Sequence, residues 1–320
     1  MRKRPVAEIL IEKTLFIFTM AGSLVIFFVI FYIFSNGLPV IKASGLSFFT
    51  SGGWDRLFSA AWTAAPGRAI WKFGAAELIA GTVLTTGGAL LVAGLLGMGC
   101  AVFLAELCPP GLRRPAEYAV RLLAGIPPVI YGVVGLTVVV PLIKSFISDE
   151  LAMGMVNICI LDGTSLLAGI IVLGVMITPT FVVLATDALE AVPRAYKAAS
   201  LALGVSHWRT VVKVMIPVAR RGILAAGILA AGVAVGEFIA MAMVAGSVAF
   251  LPNPAHGLLF FLEPVSTLAS NIFLNSQVLG VENMESALFA CASVILFICI
   301  ILSLLAQLIN GAKLKGGRSR

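Results

Sequence analysis

The sequence predicts an all-helical integral membrane protein with six transmembrane helices, and three observations carry that reading. Hydrophobic residues make up 60% of the chain and charged ones only 12%, at a mean hydropathy of +1.07, where a soluble domain would be about 25% charged. Apolar runs of the length needed to cross a hydrocarbon layer, about 20 residues, recur at 15–34, 78–104, 120–143, 166–186, 222–250 and 286–309. Basic residues gather at the ends of those runs and on one side. With the N-terminus in the cytoplasm, only Lys42, Arg56, Arg68, Lys72 and Lys144 of the 22 Lys and Arg fall outside, so the positive-inside rule places both termini inside. The net charge of +7 is thus a matter of topology, and it does not point to nucleic acid.

Each element follows in order. Residues 1–14 are a basic cytoplasmic start. The run at 15–34 is too long for a signal-peptide core of about 7–15 residues and reads as an extra first helix. The outer segment 35–76 carries Trp54, Trp62 and Trp71, expected as headgroup-level anchors on one or two short helices. A core of five spans then occupies 77–310. Span two holds Gly81, Gly87, Gly88, Gly94, Gly97 and Gly99, a load that suits close helix packing in a bilayer. Span three contains Pro127 and Pro128, which remove backbone donors and should break or kink the helix beside a pathway. The stretch 144–165 reads as connection only, closing on the turn signal Asp162-Gly163-Thr164. The outer segment 251–285 has no Lys or Arg, and Ser266 or Thr267 can cap a helix at the outer mouth, a candidate gate. Residues 311–320 form a basic tail.

The long charged segment between two apolar runs, 187–221, has an interior unlike a loop. Residues 194–203 are all helix-tolerant, and Ala195, Ala198, Ala199 and Ala202 recur at i, i+3, i+4, i+7, one narrow face of small side chains that admits a close partner. Gly204 ends that helix, Ser206 can cap a second, and Pro217 belongs at the start of a third.

Glu237 is the one acid deep in a span. It lies sixteen residues beyond Arg221, about 24 Å along a helix axis, where a carboxylate costs roughly 2.5 to 3.5 kcal/mol. A wet cavity, a partner or a proton would offset that cost; the structural alternative is a hydrogen bond to a neighbouring helix. Gly232 and Gly236, four apart, precede it as a small-xxx-small face.

These residues carry a family resemblance. Ala198, Ala199, Ser200, Gly204, Val214, Ile216 and Pro217 fall on the pattern of the EAA loop of ABC importer permeases, with Ala198 where the pattern has glutamate. The segments RLLAGIPPVIYGVVGL, from Arg121, and GVAVGE, ending at Glu237, are similar to the phosphate-uptake (Pst) permeases, and EPVSTLASNI, from Glu263, to their C-type subunit. The family has arginine where Val233 stands, so a cation for an anionic substrate would come from Arg121 or from a second subunit. The resemblance covers about 78–308. It implies a type I importer permease bundle of the MetI-like kind, with a pathway past Gly232, Gly236, Glu237, Pro127, Pro128 and Arg121. It also implies a second, A-type permease chain, two cytoplasmic ATP-binding subunits that hold ATP and magnesium, an external phosphate-binding protein, and a bacterial or archaeal inner membrane whose lipid surrounds the bundle.

No G-x-x-x-x-G-K-[ST] loop occurs, so no cofactor is expected on this chain itself and ATP hydrolysis falls to another. His207 and His256 stand alone, and the five cysteines show neither metal-ligand nor redox spacing. Catalysis by this chain is not expected. Two other readings remain open at this point: a permease for another oxyanion, favoured by Val233, and a stand-alone carrier using Glu237 as a proton site, for which no internal repeat is found.

Overall fold

The computed structural model describes residues 6–64 and 69–311. The tail at 312–320 and Arg68 lie outside the described residues. Among the described residues six helices are long and apolar enough to cross a membrane: Leu10–Ser44, Ala76–Leu107, Pro128–Ser145, Leu166–Glu190, His207–Gly236 and Glu282–Ile309. One end of the bundle carries the 187–221 loop and is called the basic end; the other carries Trp54.

α1 (Val6–Ser44) extends well beyond the apolar run at both ends. At the Trp54 end α2 (Ser47–Thr50) and α3 (Trp54–Trp62) follow, as the sequence suggested, but Trp54 is no interface anchor. It is fully buried, stacked on Phe58 at 5.6 Å and tilted against Phe73 at 5.7 Å. Three aromatic rings bury more apolar surface against one another than against headgroups, whereas Trp62 stays exposed.

Span two is α4 (Ala76–Val102) closed by a π turn at Phe103–Leu107. α5 (Pro110–Ala124) is a separate helix, with no buried residue, in place of the expected start of span three at 120. Pro127 and Pro128 begin α6 (Pro128–Val134), and a second π turn, Gly135–Val139, leads to α7 (Val140–Ser145). The stretch 144–165 is more than connection: Ser148 caps α8 (Asp149–Met155) by accepting from the Leu151 N–H. The turn before span four forms as its residues dictate, with Asp162 Oδ1 accepting from the Thr164 N–H at 2.8 Å and Gly163 at φ +97°.

α9 (Leu166–Glu190) is the central span. Leu173, Ile177 and Phe181 on it meet Ala89 and Ala93 of α4 and Ala226, Ala230 and Ala234 of α12 (Ile216–Gly236), a core of large side chains on one helix set into small ones on its neighbours. Between α9 and α12 lie α10 (Arg194–Ala202), α11 (His207–Thr210) and a third π turn, Val211–Met215. α12 stops at Gly236, so the expected span 222–250 is divided: Glu237 sits in the break and α13 (Ile239–Val244) follows. After a turn of 3-10 helix at Pro254–Phe261 come α14 (Leu268–Leu274) and α15 (Glu282–Gly311).

α1 is held along its outer part, against α15 and at its last turn by the Ser44 hydroxyl, which accepts from the Phe73 N–H at 2.9 Å. Gly37 lies so close that a Cβ there would stand 2.8 Å from the Ala290 amide nitrogen, and the Ser286 hydroxyl donates to the Asn36 carbonyl at 2.7 Å. Large side chains from Leu10 to Val29 stay exposed, as an apolar helix facing lipid requires.

Three of the six span-two glycines are contact points: Cβ atoms would meet the Ser266 carbonyl at Gly81, Ile170 at Gly88 and Phe181 at Gly97, while Gly87, Gly94 and Gly99 face open space. Gly81→Ala would place a methyl 2.2 Å from a carbonyl oxygen and is expected to cost about 1–3 kcal/mol by overpacking, whereas Gly94→Ala should be neutral or slightly stabilising. Thermal unfolding of the two purified variants in detergent checks this; equal midpoints would refute the packing argument.

Candidate functional site

The helix interruptions define the site, because each leaves backbone groups that hydrocarbon cannot satisfy. At Pro127 and Pro128 the freed carbonyl of Leu123 accepts from the Tyr131 hydroxyl at 3.0 Å and from the Ile126 N–H at 3.2 Å. Pro127 faces outward and Pro128 is half-buried at the first turn of α6. The break is therefore a built corner, supported by one phenol.

At the second break Glu237 turns the chain, with ψ at 119°. Its side chain is 8% exposed, and Oε1 accepts from the Ala240 N–H at 3.0 Å. The carboxylate thus satisfies a donor of the first turn of α13, where a helix N-terminus favours negative charge. The sequence reading left a structural bond to a neighbouring helix open; the bond formed is to the next helix of the same span. Oε2 makes no hydrogen bond among the described residues.

Beside Glu237, the face Leu229, Gly232, Val233, Gly236 of α12 is uncovered. Leu229 and Val233 are each half exposed, and nothing lies within 4 Å of a Cβ at Gly232 or Gly236. Arg121 is not part of this group. It lines a cavity of about 50 Å³ with Glu117, Asp187 and Glu190 at the basic end. Met241, four residues past Glu237, packs on Gly169, and about 27 Å of α9 separates Gly169 from Asp187. No arginine side chain spans that distance, so Arg121 supplies no cation to Glu237.

At the end of α13 three backbone bonds knit the chain to the segments 165–166 and 263–265, and these to each other, at the Trp54 end. The Ala245 carbonyl accepts from the Val265 N–H at 2.7 Å, the Val244 carbonyl from Ser165 at 3.1 Å, and the Glu263 carbonyl from Leu166 at 2.9 Å. Glu263 is fully buried; its carboxylate takes the Asn253 N–H at 2.7 Å and lies 2.5 Å from His256 Nδ1. Thr267, not Ser266, caps α14 in a reciprocal box with Ser270. The Leu268 N–H, also at that first turn, goes to Thr82 Oγ1 of α4 at 2.9 Å.

At the basic end α10 ends as its sequence requires. Gly204 has φ +79°, its N–H bonds the Leu201 carbonyl at 2.9 Å, and the Val205 N–H bonds the Ser200 carbonyl at 3.3 Å, the paired bonds of a glycine-terminated helix. Ser206 has extended dihedrals but its side chain makes no cap bond. Ser200 points inward to Thr210 at 2.9 Å. Ala195, Ala198, Ala199 and Ala202 are all exposed. Val214 is half-buried in the π turn, Ile216 starts α12, and Pro217 occupies its first turn. An open cavity of about 500 Å³ adjoins the loop, lined by Tyr196, Pro217, Arg220, Arg221 and Ile309. The predicted loop residues form one unit, and the predicted pathway residues split between the Glu237 break, the proline corner and the distant Arg121.

One contact here had no sequence signal. Lys197 Nζ of α10 lies 2.5 Å from Oε2 of Glu106, in the π turn that ends span two, and His207 Nε2 lies 3.4 Å from the same oxygen. Ninety-one positions separate Lys197 from Glu106, beyond the reach of any local pattern.

Interrupted spans around a buried acid, with a capped helical loop held out at one end, define a multi-pass membrane permease. The description "binding-protein-dependent transport system inner membrane component" belongs to the family model that matches residues 1–314. The phosphate transport system permease protein PstC of Mesorhizobium japonicum is 32% identical over 280 residues, with 85% of this chain and 80% of that one covered. PstC of Haemophilus influenzae is 30% identical, with 83% and 81% covered. A probable PstC of Methanocaldococcus jannaschii is 31% identical, with 86% and 84% covered. A solved structure of the methionine ABC transporter MetNI in an inward-facing conformation superposes with a TM-score of 0.49 at 20% identity over 72% of this chain and 93% of that one. The chain belongs to the family of binding-protein-dependent transport system inner membrane components, the permease subunits of ABC importers.

Asp55 ties α3 to the segment after α13 by accepting from the Ala249 N–H at 2.9 Å. Desolvation raises its pKa, against the pull of the Ala249 bond and helped by repulsion from Glu77. Asp55 keeps an exposed edge, so the effect is small. A raised carboxylate pKa means that ionisation penalises the folded state, and the penalty grows as pH rises above the unfolded value of about 4. Asp55→Asn keeps the acceptor and removes the charge. Its melting temperature should exceed the parent's at pH 7, with the gain fading toward pH 4, read by tryptophan fluorescence; a lower midpoint at pH 7 would refute it.

Proposed function

We propose that this chain is one of two permease subunits of an ABC importer for inorganic phosphate, coupled to cytoplasmic ATPases through the 194–217 loop. The observation that carries the reading is the shape of that loop. α10 turns Ser200 inward, is closed by Gly204, and leaves four alanines bare on its other face. A rigid helix with an uncovered small-residue face suits close docking against another protein better than contact with water. The names of the PstC relatives support phosphate as the substrate.

In this reading both termini and the loop lie in the cytoplasm, and the Trp54 end faces outward, toward a phosphate-binding protein. The partner chain is an A-type permease that covers the open face Leu229, Gly232, Val233, Gly236, so that the pathway runs beside Glu237. Two ATPases bind the two loops, hold ATP and magnesium, and on closing push α10 toward the bundle. The bundle then passes between inward-open and outward-open states, and ATP hydrolysis resets it. Glu237 accepts a hydrogen bond from a protonated phosphate oxygen. A cation to balance the anion comes from the partner chain, since Arg121 is remote. A stand-alone carrier would need neither the open alanine face nor the glycine closure behind it.

Affinity capture of the tagged chain from mild detergent tests the assembly. A P-loop ATPase should co-purify, and Gly204→Leu should lose it, because a side chain in the left-handed region costs about 1–2 kcal/mol and reorients the end of α10. A chain that purifies alone under conditions that preserve other membrane complexes would overturn the importer reading. In proteoliposomes the complex should take up phosphate in preference to sulfate and molybdate. Glu237→Gln, which keeps an acceptor for Ala240, should leave assembly intact and lower phosphate uptake about tenfold or more; unchanged uptake would remove Glu237 from the pathway.

A further inference from the structure

α10, with the sequence RAYKAASLA, carries no acidic residue, yet a carboxylate holds it. The Glu106 side chain is only 7% exposed, and the Lys197 ammonium, one-third exposed, reaches it at 2.5 Å. His207, on the first turn beyond Gly204, approaches the same oxygen at 3.4 Å. One buried acid therefore contacts both arms of the loop, before and after the glycine turn, while the Ser200 to Thr210 bond closes the arms on each other.

The position of Glu106 follows from the π turn. The Cys108 N–H bonds the Phe103 carbonyl at 2.7 Å, and this wide closure admits one extra residue to the last turn of span two. π turns of this kind recur at functional sites. Cys108 is followed by Pro109, so the helix cannot continue, and Glu106 is set at the rim of the bundle under α10.

We propose that Glu106 is a positioning residue that fastens the 194–217 loop to span two, so that a displacement of α10 is carried into α4. The coupling role rests on the importer reading above; the fastening does not. α4 is suited to pass the displacement on. About 36 Å from Glu106 along the same helix, Thr82 holds the first turn of α14, and Gly81 lies against the Ser266 carbonyl. The neighbouring Val265 is bonded to Ala245, at the end of the helix that Glu237 begins. One rod thus touches the loop at one end of the bundle and the 263–268 segment at the other.

Two measurements on Glu106→Gln separate the claims. In the purified chain alone, amide hydrogen exchange across 197–213 should rise about tenfold, while the α4 and α9 core stays protected. Unchanged exchange overturns the fastening. In the complex with its ATPases in liposomes, phosphate transported per ATP hydrolysed should fall about fivefold or more, the range of an allosteric coupling, with basal hydrolysis retained. An unchanged ratio overturns the coupling role. If no ATPase is captured even by the parent chain, the importer reading fails and the exchange result still decides the fastening. Lys197→Gln, on the exposed side of the pair, should reproduce both effects if Glu106→Gln does not fold. The exchanged pair Glu106→Lys with Lys197→Glu should recover more of the ratio than either single change; a simple packing role for Glu106 predicts no such recovery.

Discussion

In hydrocarbon a backbone N–H or C=O without a partner costs several kcal/mol, since no water can take its place. That constraint explains why each interruption in this bundle comes with a named side chain. Tyr131 covers the Leu123 carbonyl at the proline corner, Glu237 covers Ala240 at the break in span five, and Thr82 covers Leu268 at the start of α14. Tyr131 and Glu237 each stand at an interruption and link its two pieces, whereas Thr82 reaches from within α4 to the first turn of α14.

Close packing joins the pieces that the interruptions separate. α4, α9 and α12 meet through alanine and glycine, with Gly88 and Gly174 placing backbones within methyl distance of Ile170 and Val92. Such contacts are short and numerous, and a close-packed interface does not deform gradually. At the corners a side-chain hydrogen bond adds to the backbone ones, from Tyr131 to the Leu123 carbonyl and from the Ala240 N–H to Glu237. α6 and α13 both leave from corners, and they pack on each other where the Ala240 Cα lies 3.1 Å from a Cβ at Gly132. The two short helices beside the Glu237 break also seat on α9, where Met241 meets Gly169 and Val172 meets Gly135.

How much of this was legible in the sequence depended on the range of each cause. Pro127, Pro128, Gly204 and Pro217 act on their own backbone, so the corner, the end of α10 and the start of α12 could be read directly. Thr267 needed only Ser270, three residues on. The end of α12 was missed because Gly236-Glu237 carries no proline, and an apolar run through 250 resembles a continuous span; the stop depends on Glu237 bonding forward. Trp54 was misplaced because Phe73, which closes its cluster with the i+4 neighbour Phe58, comes near only when α3 folds back on the bundle. α5 was divided wrongly because Pro109 and Pro110 start a separate helix whose one half-buried face, at Arg113, Ala116, Glu117 and Val120, lies against α9. Of the six span-two glycines, the sequence could not say which three are contacts, since that depends on the rotation of α4. The Lys197 to Glu106 contact joins two segments that periodicity treats as unrelated.

That last contact bears on why Ala198 is tolerated in the loop. On the proposed importer reading, the four exposed alanines of α10 dock by shape and make no directional bond, so they set no direction for the force they receive. The direction must then be set by what lies behind the helix. Behind α10 are the Ser200 to Thr210 bond, which joins it to α11, and Glu106, which joins both arms to span two. On that reading a push on the alanine face would be resolved along α4, the element that the charged pair engages and that seats on α9 through its glycines. In the proposed assembly the alanine face would govern how tightly a partner sits, and the Lys197 to Glu106 pair beneath it what the partner's movement does.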